Sequence, residues 1–179
     1  MASRLFFIMI SFPMLRCLTI LLGLFMKKAK AFNAGTAKTA LVTGSTDGIG
    51  LTTAKELASR GYNIIIHGRN PIRIHNAVKD VSNYANKSDS SEKPNIYSVE
   101  SDISTVQGCK TLSRSVRSIL KDNKLCLDVL MNNAGVFEMN HVITEDDLEM
   151  TFAVNVMAPF VITSHLLPEL LSSKKGRQS

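Results

Sequence analysis

Three glycines, Gly44, Gly48 and Gly50, stand in the stretch ALVTGSTDGIG (40–50), where a short apolar run breaks off and a helical pattern begins. A glycine turn between a strand and the following helix brings backbone N–H groups and the positive helix end to one point, which suits the diphosphate of a dinucleotide. Gly44 permits the tight turn, Gly48 the close approach of a ligand, and Gly50 the packing of helix on strand. The spacing is Gly-x-x-x-Gly-x-Gly, distinct from the Gly-x-Gly-x-x-Gly of the general dinucleotide fingerprint. Glycines also punctuate ordinary turns, so the residues downstream have to agree.

The residues just after the second apolar run bear on cofactor choice. A carboxylate there would hydrogen-bond a ribose hydroxyl and favour NAD, whereas a guanidinium accommodates the extra phosphate of NADP. The chain offers His67-Gly68-Arg69-Asn70 and no acid. NADP is therefore expected ahead of NAD, with Arg69 making charge-assisted bonds to the phosphate and Asn70 adding a neutral one. Asp47, an acid inside the turn, reads as the N-cap of the helix. Further on, Asn132-Asn133-Ala134-Gly135 can lock a strand end through side-chain hydrogen bonds and make a turn. Pro159 lies four residues after Asn155 in a helical stretch. It has no N–H for the Asn155 carbonyl, so the helix should bend there and the freed carbonyl can hold a water. The histidines and the three scattered cysteines show no metal-ligand spacing, and no metal is expected.

These residues need a scaffold, and the chain alternates strand and helix patterns from Lys38 onward. Strands are expected at 39–43, 62–67, 96–99 and 125–131, and helices at 48–60, 72–84, 104–121 and 145–172, with Ser104 capping the third. Strand–helix repetition at this pace predicts an α/β fold: a Rossmann-type doubly wound parallel sheet covered on both faces. The segment NKSDSSEKP reads as a polar surface loop.

The 179 residues suffice for one domain, and 45% apolar with 20% charged residues is the composition of a globular protein. The net charge of +6 is local: residues 1–38 hold six basic side chains and no acid, leaving 15 of each sign beyond. A nucleic-acid surface on the domain is thereby disfavoured. Residues 1–37 read as a hydrophobic anchor or targeting segment ahead of a domain at 38–179. Leu5–Met26 is long enough to span a bilayer, although Pro13 interrupts it and a central Arg16 costs about 2.5–3.5 kcal/mol on insertion scales. Lys27, Lys28 and Lys30 place the domain on the cytosolic side of such a membrane, with the endoplasmic reticulum the first expectation. A cleaved signal and a mitochondrial or plastid presequence are the alternatives. Asn86-Lys87-Ser88 is a glycosylation sequon, relevant only to a luminal domain.

With its motifs in this order, the chain resembles the short-chain dehydrogenase/reductase family over roughly residues 38–175. TGSTDGIG (43–50) matches the family's cofactor turn, Asp102-Ile103-Ser104 follows the third strand, NNAG (132–135) ends the fourth, and Asn155 stands in NVMAPF. HGRN and TFAVN resemble the retinol-dehydrogenase-like members. The resemblance implies that Gly44, Ser45, Thr46, Asp47, Gly48, Ile49 and Gly50 line the cofactor, and that Asp102, with Ile103, meets the adenine ring. It implies that Asn133, Ala134 and Gly135 wall the nicotinamide ribose, and that the main chain at Asn155 holds a water of the proton relay. The implied activity is hydride transfer between NADP(H) and a small carbonyl or alcohol, in an enzyme that can form homo-oligomers. In the family a tyrosine acts as general acid or base, with a lysine four residues later. The tyrosines here are Tyr62, Tyr84 and Tyr97, and no Tyr-x-x-x-Lys occurs. A fragment or shortened product is therefore expected, incomplete at the C-terminal side of its sheet and without turnover. The alternative is a regulatory protein that binds NADP and never catalyses.

Overall fold

The computed structural model describes residues 38–87 and 93–175. The expected anchor within 1–37 and Ser88 of the sequon lie outside the described residues. Four apolar runs form the strands β1 (Thr39–Val42), β2 (Asn63–Gly68), β3 (Ile96–Glu100) and β4 (Val129–Met131). They pair in parallel in the order β3-β2-β1-β4, with Leu41 beside Ile65 on one side and Leu130 on the other. Helices α1 (Gly48–Ser59), α2 (Pro71–Asn86) and α3 (Val106–Asp122) make the crossovers. The short α4 (Met150–Phe152) runs through a π-helical turn, Ala153–Met157, into α5 (Ala158–Lys175).

Because side chains alternate across a strand, the sheet feeds two cores. Ala40, Ile64 and Ile66 pack with Ala54 and Ala58 of α1 and Ala77, Val81 and Ala85 of α2. On the opposite face Leu41, Ile65 and Val99 meet Leu112, Val116 and Leu120 of α3 and Ile162 and Leu166 of α5. Each Leu or Ile buried this way contributes about 1.5–3 kcal/mol. The stretch Met150–Ser173 is apolar and long enough to cross a membrane. Its inner residues are nevertheless committed to the second core, as expected of a helix that covers a sheet.

Among the element ends that differ from the sequence reading, three have a chemical reason. The fourth strand begins at Val129, not Leu125, because the Asp128 carboxylate accepts from the Thr39 amide at 2.8 Å and takes the place of a ladder carbonyl. Helix α3 is capped by Thr105, whose Oγ1 accepts from Gly108 N at 3.0 Å, while Ser104 is buried. The last helical region starts at Met150 and not at Glu145. Residues 143–149 fold back in an antiparallel bridge between Ile143 and Glu149, and the two Glu149 oxygens cap Thr151 N and Phe152 N at 2.8 Å each. Those two amides hold the Glu149 carboxyl below its usual range.

Candidate cofactor site

The turn after β1 has the tight bend read for Gly44 and the close packing read for Gly50. Gly44 and Gly48 have φ of +62° and +54°, which side chains other than glycine rarely adopt. A Cβ on Gly44 would come within 2.8 Å of the Ala134 Cα, and one on Gly50 within 2.5 Å of the Gly44 carbonyl oxygen and 2.4 Å of the Asn133 Nδ2. A Cβ on Gly48 would meet nothing within 4 Å. The turn is thus packed tight where it faces the protein and open where the helix begins. The first intrahelical bond of α1 runs from Leu51 N to Asp47 O, so the amides of Ile49 and Gly50 open the helix without intrahelical acceptors. Donors of this kind beside free space fit a diphosphate.

Neighbouring side chains hold the turn in that shape. The Thr43 hydroxyl donates to Met131 O at 3.3 Å and accepts from the amides of Asn133 and Ala134 at 3.0 Å each. Asn133 Nδ2 returns two bonds, to Thr43 O at 2.9 Å and Gly44 O at 3.2 Å. Asn132 donates to Thr163 Oγ1 on α5 at 3.0 Å. The two asparagines therefore tie the end of β4 to β1 and α5. Ser45 is wholly buried, its hydroxyl donating to Val42 O at 2.7 Å and accepting from His67 N at 3.0 Å. Among the expected site residues its hydroxyl serves the turn's shape. Asp47 caps α1 as expected, accepting from Gly48 N at 2.7 Å. Thr46 is half-buried and approaches Gly68, where a Cβ would sit 2.5 Å from its Cγ2.

The end of β2 carries Arg69 and Asn70, both exposed. No hydrogen bond or ion pair occupies Arg69 among the described residues. Asn70 has a second duty: its Oδ1 accepts from Arg73 N at 3.0 Å and caps α2, with Pro71 in the first turn. The Asn-Pro pair carried that signal. Its amide nitrogen remains the group able to meet a phosphate. Beyond β3, Asp102 is exposed and uses Oδ1 to accept from Ser104 N at 3.0 Å, while the Ile103 side chain lies in the core. Gly108 lets this bend pass close to α3, since a Cβ there would fall 1.7 Å from Asp102 O.

Asn155 sits in the π-helical turn, the form taken by the disruption expected at Pro159. Its side chain is bonded twice to one residue, accepting from Val136 N and donating to Val136 O at 2.8 Å each. Gly135 lies beside it, with room for a Cβ only 3.4 Å from Asn155 Oδ1. The helix thereby fixes the loop that leaves NNAG. The turn 44–50, Asn133–Gly135 and Asn155 are linked by these contacts. Arg69, Asn70 and Asp102 stand at the adjoining ends of β2 and β3.

His67 received no role from sequence, yet it is 2% exposed and bonded on every side. Gly44 N donates to its Nδ1 at 3.2 Å, and its Nε2 faces Ser101 O and Oγ at 3.2 and 3.1 Å. Burial pushes its pKa down to about 4, opposed in part by the Ser101 hydrogen bond and by Asp102. A histidine ending a continuous apolar strand was the available signal, because such a strand is buried on both faces. Cys109 is buried in the second core and its thiol is pushed up to about 11, chiefly by desolvation. No group of residues able to hold a metal ion occurs among the described residues.

A family model described as short chain dehydrogenase matches residues 38–177. Retinol dehydrogenase 13 of Mus musculus is 34% identical over 140 residues, which covers 78% of this chain and 39% of that protein. The inactive hydroxysteroid dehydrogenase-like protein 1 of Homo sapiens is 34% identical over 143 residues, covering 76% and 39%. Among solved structures, L-sorbose reductase from Gluconobacter frateurii, complexed with NADPH and L-sorbose, matches with a TM-score of 0.62 at 27% identity. That match covers 77% of this chain and 49% of the reductase. The chain spans less than half the length of each of these relatives.

Proposed function

The chain belongs to the short-chain dehydrogenase family, and from that membership we propose that residues 38–179 form the NADP(H)-binding part of an oxidoreductase acting on a small carbonyl or alcohol. One observation carries the choice of cofactor. An open helix start at Gly48 stands with an exposed, unengaged Arg69 at the end of β2, in a tetrad, His67–Asn70, that contains no acid. The solved L-sorbose reductase complex with NADPH supports the same reading.

In this reading the amides of Gly44–Gly50 that remain free bind the diphosphate, with Ser45 and Thr46 shaping their loop. Arg69 pairs with the ribose phosphate, aided by the Asn70 amide nitrogen. Asp102 and the backbone of Ile103 orient the adenine end, and Asn133, Ala134 and Gly135 flank the nicotinamide ribose. When bound, the nicotinamide supplies or accepts the hydride. Asn155 holds Val136 and so the wall beside that ring, and its main-chain carbonyl, which Pro159 cannot engage, holds a water.

A second reading is favoured by a specific observation. Residues 1–179 contain no Tyr-x-x-x-Lys, and one relative is named an inactive dehydrogenase-like protein. We therefore expect these residues to bind NADP(H) and to give no carbonyl reduction above background. Residues 1–37 serve, in this proposal, to attach the domain to a membrane on its cytosolic side, and a longer form assembles as a homo-oligomer. The test is a titration of the chain with NADPH and NADH, repeated with Arg69→Glu. NADPH should bind more tightly than NADH, and the substitution should weaken NADPH by about tenfold or more, the scale of a lost charge-assisted bond with repulsion added. Equal NADPH affinity in both proteins would refute the role of Arg69.

A further inference from the structure

We infer that His67 is a positioning residue for the cofactor turn: its Nδ1 lone pair holds the Gly44 amide, which sets the backbone conformation in which the later amides of the turn face an anion. The inference rests on the NADP-binding reading above.

The geometry dictates one tautomer. Gly44 N–H is a donor, so Nδ1, 3.2 Å away, must be the unprotonated nitrogen, and the ring proton then lies on Nε2. That proton faces two acceptors, the carbonyl and the hydroxyl oxygen of Ser101. The backbone of the same residue is joined to Ser45 in both directions: His67 N donates to Ser45 Oγ, and Ser45 N donates to His67 O at 3.0 Å. Ser101 N completes the link by donating to Gly68 O at 3.0 Å. One imidazole therefore ties the first residue of the turn to the ends of β2 and β3.

The direction of the Gly44 amide is what gives this a consequence for ligand binding. Gly44 has φ of +62° and great conformational freedom, so its peptide would turn easily without a partner. Drawn inward by Nδ1, that amide is spent on the protein, and the segment Ser45–Gly48 is left as the bend that leads to the open helix start. His67 is also two residues from Arg69 on the same strand end, and Gly68 between them packs against Thr46. The group that orients the diphosphate turn thus also fixes the strand end that presents the guanidinium. An apolar residue of similar volume would fill the same space and leave the half-buried Gly44 donor without this acceptor.

The experiment compares the full 179-residue chain with His67→Leu, which removes the acceptor, and His67→Asn, whose Oδ1 can stand where Nδ1 stands. Three quantities are read: exchange protection of the Gly44 amide without cofactor, NADPH affinity at a temperature where every variant is folded, and the melting temperature. Leu should lower both the Gly44 protection and the NADPH affinity by about tenfold, the scale of one part-buried hydrogen bond lost with its donor left unpaired. Asn should keep both near the wild-type values, even though it loses Ser101 and melts earlier. Protection and affinity that are unchanged in Leu, or lowered equally in Leu and Asn, overturn the inference, since a residue that only stabilises the fold would move melting alone. Nitrogen NMR of the wild type gives a separate check, and a proton found on Nδ1 in neutral solution overturns it as well. Should wild-type protein bind no NADPH while Gly44 protection follows the predicted pattern, the cofactor assignment fails and the positioning of the turn stands.

Discussion

β2 and β4 flank the same strand, yet they are held very differently. All six residues of β2 are buried, and it is hydrogen-bonded along both edges, to β1 and to β3. β4 has three residues, each only half-buried, and is one of the two edges of the four-stranded sheet. Helix α5, which covers it, buries Ile162 and Leu166 but leaves Phe160 69% exposed, and Phe152, Val156, Leu167 and Leu171 extend that apolar strip along 152–171. A parallel strand is at home when covered on both faces and both edges. The glycine turn leaves β1 beside β2 and is held by His67 on that side and by Asn133 and Ala134 on the other. The NNAG end and Asn155 lie on the region that meets that condition only in part.

Four measurements test that contrast. The largest effect is expected at the centre, where Ile65→Ala should cost about 2–5 kcal/mol in urea unfolding. The half-buried Leu130→Ala should cost roughly half as much, because less area leaves water. Equal costs would mean that β4 is as well packed as β2.

Acid should act next, and through the β2 side. The folded pKa of His67 is depressed from 6.5 to about 4. Between those values the unfolded chain binds the proton and the folded chain does not, so stability is fully present above pH 6.5 and falls as the pH drops toward 4. The loss amounts to about 3 kcal/mol, and His67→Asn should flatten the profile over that window. An unchanged profile in the variant would assign the acid sensitivity to other groups.

Gly50→Ala is third. Its methyl would press on the Gly44 carbonyl and the Asn133 amide, which are backbone and a doubly bonded side chain. About 1–3 kcal/mol of stability should be lost, together with NADPH binding in a titration. Retained affinity would place the ligand elsewhere. Smallest of all, Phe160→Ser on the exposed strip should change the unfolding free energy by no more than about 0.5 kcal/mol. A larger loss would show that this strip is covered in solution.

Much of this was legible in the residues because the governing interactions are local in sequence. The runs at 39–43, 62–67 and 96–99 each hold a strand, and their order obeys the crossover pattern that the glycine turn announced. Asp47 declared itself as a cap by its place before a helix, and Pro159 marked the irregularity at Asn155 because a missing N–H is a property of the residue alone. Two of the features that escaped, at Asp128 and His67, depend on partners distant in the chain. Asp128 cuts β4 short by bonding Thr39, which lies 89 residues away. Glu149 resets the start of the last helix by closing a loop onto Ile143. His67 owes its burial to a strand on each side, and its tautomer to a glycine 23 residues earlier. At Asn70 the signal is local, since Pro71 behind it marks the start of a helix that Asn70 caps.

The central claim is that the turn at Gly44–Gly50, together with Arg69, receives NADP(H). Isothermal calorimetry of the folded chain with NADPH and then NADH measures it most directly. NADPH should bind saturably and more tightly than NADH, with no consumption of the nucleotide when carbonyl compounds are added. A chain that is folded by circular dichroism and takes up neither nucleotide would contradict it.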